Sequence, residues 1–337
     1  MTLRSIQDLL LFCSDLSCSN FLHFLKSTPF TYQSDTCLSN LLLWGPQFKI
    51  RTLIHDDHMF LVSNSSSPFI LGAPLGPEPW KASLSLLSHT SFFNPPLVFE
   101  RFPVSIIPPF STFSLPVEVS LQREHFDYVY ELQKLSQISL WKRKKRQRLN
   151  KVLTKYIVYV QYFTDLNSIF HQGAKDFQKQ WIHGKPNSTG LHSESSNLDL
   201  LFSGQINLVN TIGVLMFLHE PNNGHQSPTL TVSDDPPPPG FNLNGFALFE
   251  RLPRPFRDSF MAVVHVEKAN SLVQGCYQAL CYAEALVMKK LFKDVGYVNR
   301  EQDLGLESLR VSKTELGPSF MIEKGRLKAS NKTALNC

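Results

Sequence analysis

Residues 245–323 constrain this chain more than any other stretch. Residues 245–251 and the β-branched run FMAVVHVE at 260–267 predict two strands. A loop at 268–275 contains Gly275, and residues 276–292, which lack proline and glycine, predict a long helix. A strand at 295–298, a polar loop at 299–304, a short helix at 307–314 and a strand at 320–323 complete the series. Strand, strand, loop, helix, strand, helix, strand is an α/β order. A parallel pair joined by a helix opens its loops at the carboxyl ends of the strands, where such folds hold ligands.

The rest of the chain fits this class. At 337 residues it has room for two domains, and 42% hydrophobic residues supply their cores. Periodicity predicts helices at 4–26, 34–44, 80–87 and 166–181, and strands at 48–54, 59–63, 69–71, 97–102, 199–206 and 211–218. The HDDH turn at 55–58 joins two of these strands as a hairpin. Residues 103–116 are rich in Pro, Ser and Phe and predict irregular structure. Residues 219–239, with four consecutive prolines, predict a flexible excursion. Residues 127–156 lack Pro and Gly and predict a helix, in which six of the seven residues 142–148 are basic. The domain division expected is 1–125, a basic connecting helix at 126–158, and 159–337.

Charge and cysteines narrow the setting. The net charge of +5 favours anionic partners. Cys13, Cys18, Cys37, Cys276, Cys281 and Cys337 form neither a CxxC pair nor zinc-ligand spacing, so no metal site and no disulfide framework is expected, and the compartment reads as reducing. The apolar patch at 9–13 is bracketed by Asp8 and Asp15, unlike a signal peptide. The uncharged run 200–218 carries Ser, Gln, Asn and Gly residues too costly for lipid. The expected location is the cytoplasm, with peripheral contact at the inner face of a membrane as an option.

Several segments resemble one family. They are SDTCLSNLLLW from residue 34, HFDYVYELQKLSQIS with KKRQRLN, HVEKAN with GCYQAL, YVNREQDLGLESLRVSK, and MIEKGRL. Together they resemble the phosphatidylglycerol lysyltransferase C-terminal domain family, a bacterial-type domain of unknown function, from about residue 34 to 327. The resemblance implies two tandem GNAT-like α/β domains with mixed, partly parallel sheets flanked by helices, and a site mainly in the second. It also implies an aminoacyltransferase that moves an aminoacyl group, lysyl among them, from aminoacyl-tRNA to a lipid hydroxyl or an amine. The same fold admits acyl-CoA-dependent N-acyl transfer. A third reading is a non-catalytic protein that binds tRNA or anionic membrane. The family's KKRNH reads here as KKRQR, with Gln147 and Arg148 in place of Asn and His.

Such a transferase must hold a phosphate-bearing donor, polarise a carbonyl and help a nucleophile lose its proton. Gln274, Gly275 and Cys276, at the start of the long helix, offer backbone amides to phosphate, and Gly275 allows close approach. Gln278 faces the same region, whereas Tyr277 reads as a packing residue. His265 and Glu267, two apart on a strand, share a face. They form an acid–base pair, bind a substrate amine, or make a satisfied core histidine beside an ion-paired Glu. Asn299, Arg300, Glu301 and Asp303 follow the next strand. Arg300 suits a carboxylate or phosphate, and Glu301 or Asp303 an amine or a base role; Asp303 also suits a helix cap. Arg310 and Lys313, three apart, complete an anion site or form a solvated surface. Lys142, Arg143, Lys144, Lys145, Arg146 and Arg148 make a candidate tRNA or lipid-headgroup patch. No cofactor beyond the donor, aminoacyl-tRNA or acyl-CoA, is required. Asn40 and Trp44 read as structural.

Overall fold

The computed structural model describes residues 18–29, 33–64, 67–88, 97–108, 117–183, 189–203, 208, 211–221 and 229–329. In chain order the elements are α1 (Cys18–Ser27), α2 (Leu38–Trp44), β1 (Ile50–His55), β2 (His58–Ser63), β3 (Phe69–Leu71), α3 (Pro79–Ser88), β4 (Val98–Pro103), β5 (Val117–Leu121), β6 (Asp127–Glu131) and α4 (Leu132–Ser136). They continue with α5 (Arg143–Lys155), β7 (Ile157–Phe163), α6 (Ser168–His183), α7 (Thr189–Phe202), β8 (Thr211–His219), β9 (Leu230–Ser233) and β10 (Asn242–Phe256). The last are β11 (Ser259–Ala269), α8 (Cys276–Leu291), β12 (Val295–Asn299), α9 (Glu307–Leu316), β13 (Phe320–Ile322) and β14 (Lys324–Ala329). Two compact units result. One is Met1–Asp127 with Gln302–Leu306 and Met321–Cys337; the other is Tyr128–Glu301 with Glu307–Phe320.

The first unit carries a sheet in the order β1-β2-β3-β4-β14-β5. β3 and β4 are parallel, with α3 between them in the chain, and the other described pairs are antiparallel. Asp56 and Asp57, at φ of 46° and 57°, form the left-handed two-residue turn that suits the twist of the β1–β2 hairpin. Phe60, Ile70, Phe99, Phe102 and Leu327 meet in its core. Burying each such side chain contributes about 1.5–3 kcal/mol.

The second unit carries a sheet in the order β13-β6-β12-β11-β10-β8-β7-β9. β10 and β11 form a long antiparallel pair, and β11 lies parallel to β12. The parallel register runs from Phe260↔Val295 to Val263↔Asn299. β12 stops there, while β11 runs on to Ala269. A wedge therefore opens along the last part of β11, and the chain leaving β12 fills it. α8 joins the two strands, burying Ala279, Leu280, Ala283, Val287 and Met288.

Several expectations change. Residues 127–156 do not form one helix: Tyr128, Val129 and Tyr130 are buried in β6, because an aromatic and β-branched run suits a strand packed on both faces. Residues 189–202 are helical, so 199–202 are not part of the strand expected at 199–206. Leu198, Leu201 and Phe202 are buried at i, i+3 and i+4 spacing. Within 219–239, β9 pairs in parallel with β7 at the sheet edge, and the prolines come after it. The chain is not cut once near residue 126, since Gln302–Leu306 and β14 return to the first unit. Residues 4–17 and 109–116 of the expected first helix and irregular stretch lie outside the described residues.

Gly275 has a packing reason. Its φ is 96°, and a Cβ there would collide with the carbonyl of Arg148 on α5. The close approach it allows is that of a helix backbone. Gly275→Ala is expected to destabilise the protein by about 1–3 kcal/mol. An unchanged midpoint in a thermal melt would contradict this packing.

Candidate functional site

The wedge beside β11 is filled by charge. His265 and Glu267 point to the face that meets the chain leaving β12. Nδ1 of His265 lies 3.0 Å from Oε1 of Glu301, and Nε2 lies 3.4 Å from Oε1 of Glu250 on β10. Glu267 pairs with Arg300 and accepts a hydrogen bond from the Tyr277 hydroxyl at 2.9 Å. Arg300 also donates to Glu284 at 3.1 Å and to the Cys281 sulfur at 3.0 Å. Tyr277, Cys281 and Glu284 recur at i, i+4 and i+7, so one stripe of α8 faces the guanidinium. Asn299 accepts the Glu301 amide at 2.8 Å, holding Glu301 at a φ of 58°. The Lys313 ammonium donates to the Arg300 carbonyl, and its own carbonyl accepts Tyr130 Oη at 2.8 Å.

Burial and neighbouring charge set the proton inventory. Burial alone would lower the His265 pKa, but Glu250 and Glu301 overcome it and raise it to about 9. The imidazole is thus protonated at neutral pH and serves as a cation rather than a base. Burial, then the neighbouring Glu267, pushes the Glu284 carboxyl well up, against the pull of Arg300. Burial raises the Cys276 thiol to about 11, which removes it as a thiolate at neutral pH.

The site is closed on its cationic side and only partly open on its acidic side, where Oε1 of Glu267 is itself buried. Arg300 is 3% exposed and the His265 side chain is fully buried. The Glu267 and Glu301 side chains keep 13% and 21% of their surface. Glu250, Cys281 and Glu284 were not singled out from the sequence. The signal available was Glu284, the sole charge in an apolar helix until Lys289. Gln278 is buried, Arg310 is half-buried, and exposed Gln274 accepts from Lys151 at 3.1 Å. Lys313 is a buried tie on the Arg300 carbonyl rather than part of an open anion site. A groove of about 560 Å³ in this unit lies at the other end of β12, by Asp258, Lys293, Val295 and Tyr297.

Asp303 belongs to the first unit, away from the role expected of it. It is fully buried, bonded by Arg123 at 3.1 Å and by the Gly305 amide at 2.9 Å. That unit holds a second buried network. Lys324 bonds Asp127 at 2.6 Å and also pairs with Asp35. Asp127 accepts from the Ser34 amide and hydroxyl at 2.9 and 2.8 Å. Asp35 further accepts from Arg101 at 2.7 Å and Gln302 at 2.6 Å. Burial would raise the Asp35 pKa, but Lys324 and Arg101 hold it well below the usual carboxylate range. Sequence reasoning missed this network, although Asp35, Asp127, Gln302 and Lys324 lie in the segments that carry the family resemblance.

The basic segment divides. Lys142, Arg143 and Lys144 are exposed, and Arg146 and Arg148 are half-buried. Lys145 is buried and pairs with Glu315 on α9 at 3.1 Å. It therefore fastens α5 and offers no free charge.

Two outcomes follow. The folded His265 pKa lies above its ordinary value of 6.5, so its stabilisation is complete below about pH 6.5 and is lost as pH rises through about 9. The thermal midpoint is expected to fall over that window, and His265→Gln is expected to flatten the fall; an equally steep decline in the variant would contradict the assignment. Lys324→Met removes the cation shared by buried Asp35 and Asp127 and leaves Asp35 with Arg101, an expected cost of about 3–5 kcal/mol. Adding Asp35→Asn and Asp127→Asn is expected to recover part of this in a denaturant titration. No loss on Lys324→Met would refute the network.

The comparisons fit this architecture. A conserved protein of unknown function from Bacteroides thetaiotaomicron VPI-5482 superposes with a TM-score of 0.71 at 18% identity, covering 95% of this chain and 99% of that one. The C-terminal domain of a putative lysylphosphatidylglycerol synthetase from Agrobacterium fabrum gives 0.57 at 7% identity, with 93% and 92% covered. FemX gives 0.56 at 9% identity, with 95% and 97% covered. At these identities the likeness shows the fold, which is α/β and GNAT-like. No curated protein sequence matches the chain. The family model described as "Phosphatidylglycerol lysyltransferase, C-terminal" matches residues 30–324. That match takes in the second sheet, the first as far as the start of β14, and both buried networks, and the chain belongs to this family.

Proposed function

We propose that this chain is an aminoacyltransferase that takes an aminoacyl group, lysyl among the candidates, from aminoacyl-tRNA and passes it to a hydroxyl or amine acceptor, a lipid hydroxyl included. The carrying observation is the pair Glu267 and Glu301, two partly exposed carboxylates each held from behind by a buried cation. Accessible carboxylates fixed in this way suit the ammonium groups of an aminoacyl donor. Family membership supports the reaction class.

In this reading the acceptor O–H or N–H attacks the ester carbonyl of the donor. A new acyl–oxygen or acyl–nitrogen bond forms, the bond to the tRNA ribose oxygen breaks, and that oxygen takes the proton. Glu267 or Glu301 holds the donor ammonium, and the other relays the proton. Arg300, His265 and Asn299 position them. The ester is already activated, so the donor itself drives the transfer. The donor places the reaction in the cytoplasm. Among the described residues no helix is long and apolar enough to cross a membrane.

The start of α8 supports neither donor as the phosphate cradle expected of it. There the Arg148 carbonyl lies against Gly275, and the Cys276 amide bonds the Val273 carbonyl at 3.0 Å.

Labelled Lys-tRNA with hydroxylamine as a soluble acceptor tests the proposal. Glu267→Gln keeps the shape of the site and removes its charge, and it is expected to lower kcat/KM about 100-fold. Turnover of acetyl-CoA with none of Lys-tRNA, or a Glu267→Gln variant as active as the parent, would overturn it.

A further inference from the structure

Two carboxyl groups meet one guanidinium in the wedge beside β11. Arg300 Nη1 donates to Glu284 Oε2 at 3.1 Å, and Nη2 pairs with Glu267 Oε1. The Glu284 side chain, on α8, is 1% exposed. The other groups turned to the guanidinium are the Tyr277 hydroxyl and the Cys281 sulfur; burial raises the pKa of each, so both are neutral. Further out, Lys313 on α9 donates to the Arg300 carbonyl, and Tyr130 on β6 donates its hydroxyl to the Lys313 carbonyl at 2.8 Å. His265, on β11, is flanked by Glu250 and Glu301.

With both carboxyls ionised, the one guanidinium would face two buried negative charges, and the excess is costly where water is excluded. The carboxyls would also meet as two acceptors with no hydrogen between them. They lie within hydrogen-bonding reach of each other. Oε1 of Glu284 is buried and has no donor, and Oε1 of Glu267 is buried with only its ion pair to Arg300. A single proton on the pair removes both difficulties, because like charges this close do not both ionise.

We propose that Glu284 is a neutral carboxylic acid that donates its proton in a hydrogen bond to the Glu267 carboxylate, and so serves as a positioning residue for it. Burial, then the charge of Glu267, holds the Glu284 carboxyl above the usual carboxylate range against the pull of Arg300, in agreement with this state. Glu267 is then fixed by Arg300 and Glu284 on its buried oxygen and by the Tyr277 hydroxyl on the other. One consequence rests on the transfer reading. A donor ammonium seated on Glu267 offsets the charge that retains the Glu284 proton, so donor binding releases that proton to solvent.

Infrared difference spectroscopy of the full chain tests the proposal. A carboxylic acid C=O band is expected at pH 7, shifted when the glutamates carry carboxyl 13C, and lost in Glu284→Gln. Glu267→Gln is the sharper variant. It leaves Glu284 as the counter-charge of Arg300, so Glu284 ionises and the band is expected to vanish although Glu284 is still present. The labelled parent reads the proton without any variant, and absence of the band there overturns the proposal. So does a band undiminished in Glu284→Gln or in Glu267→Gln. These spectra need no substrate, so the acid stands or falls apart from the transfer chemistry. Calorimetry with lysinamide in two buffers of different protonation enthalpy reads the coupling: the parent is expected to release more protons per ligand than Glu284→Gln. Equal release, or no binding at all, overturns the coupling, and only the second also counts against the transfer reading.

Discussion

Arg300 sits where β12 leaves the sheet, and three elements meet on its guanidinium. β11 contributes Glu267; α8 contributes Tyr277, Cys281 and Glu284; and the chain leaving β12 contributes the arginine itself. α9 adds Lys313 on the Arg300 carbonyl. A guanidinium so deeply buried is tolerable only beside counter-charge, since an unpaired buried charge costs several kcal/mol, and Glu267 supplies it here. The wedge along β11 can therefore adopt few arrangements, and the observed one fixes Glu267 and orients Glu301 through the neighbouring Asn299 and His265.

Each accessible carboxylate thus has a buried cation behind it, Arg300 for Glu267 and His265 for Glu301. The cations contribute twice: they make burial of the carboxylate stems tolerable, and they hold the oxygens in place without competing at the open side. Rigid support behind an exposed charged group is what a binding site for a cationic substrate group needs. In the first unit the Lys324–Asp35–Asp127 network uses the same means with no comparable open side: Lys324 is fully buried and Asp35 nearly so.

The sequence made β11, α8 and β12 legible because each has a single strong period and a clear stop. His265, Glu267, Arg300 and Glu301 were legible as a group because they fall at strand ends. Their division of labour was not. Whether Arg300 faces a ligand or Glu284 depends on Glu284 lying on the same stripe of α8 as Tyr277, and whether His265 is a base or a cation depends on Glu250, which comes from another strand. Asp303 looked equivalent to Glu301 by position, yet two residues along the chain suffice to place it in the other unit with Arg123. β6 was hidden because an absence of proline and glycine permits a helix without requiring one. Gly275 matched a ligand-binding loop in every local respect; the Arg148 backbone that explains it lies far away in sequence.

The most direct test is a crystal structure with a non-hydrolysable mimic of the donor end, an adenosine carrying lysine through a 3′-amide. The account predicts a lysyl ammonium within hydrogen-bonding distance of Glu267 or Glu301, with Arg300 still bound to Glu267 and Glu284. A mimic seated away from both carboxylates, or one that displaces Arg300 from Glu284 to bind the arginine itself, would contradict it.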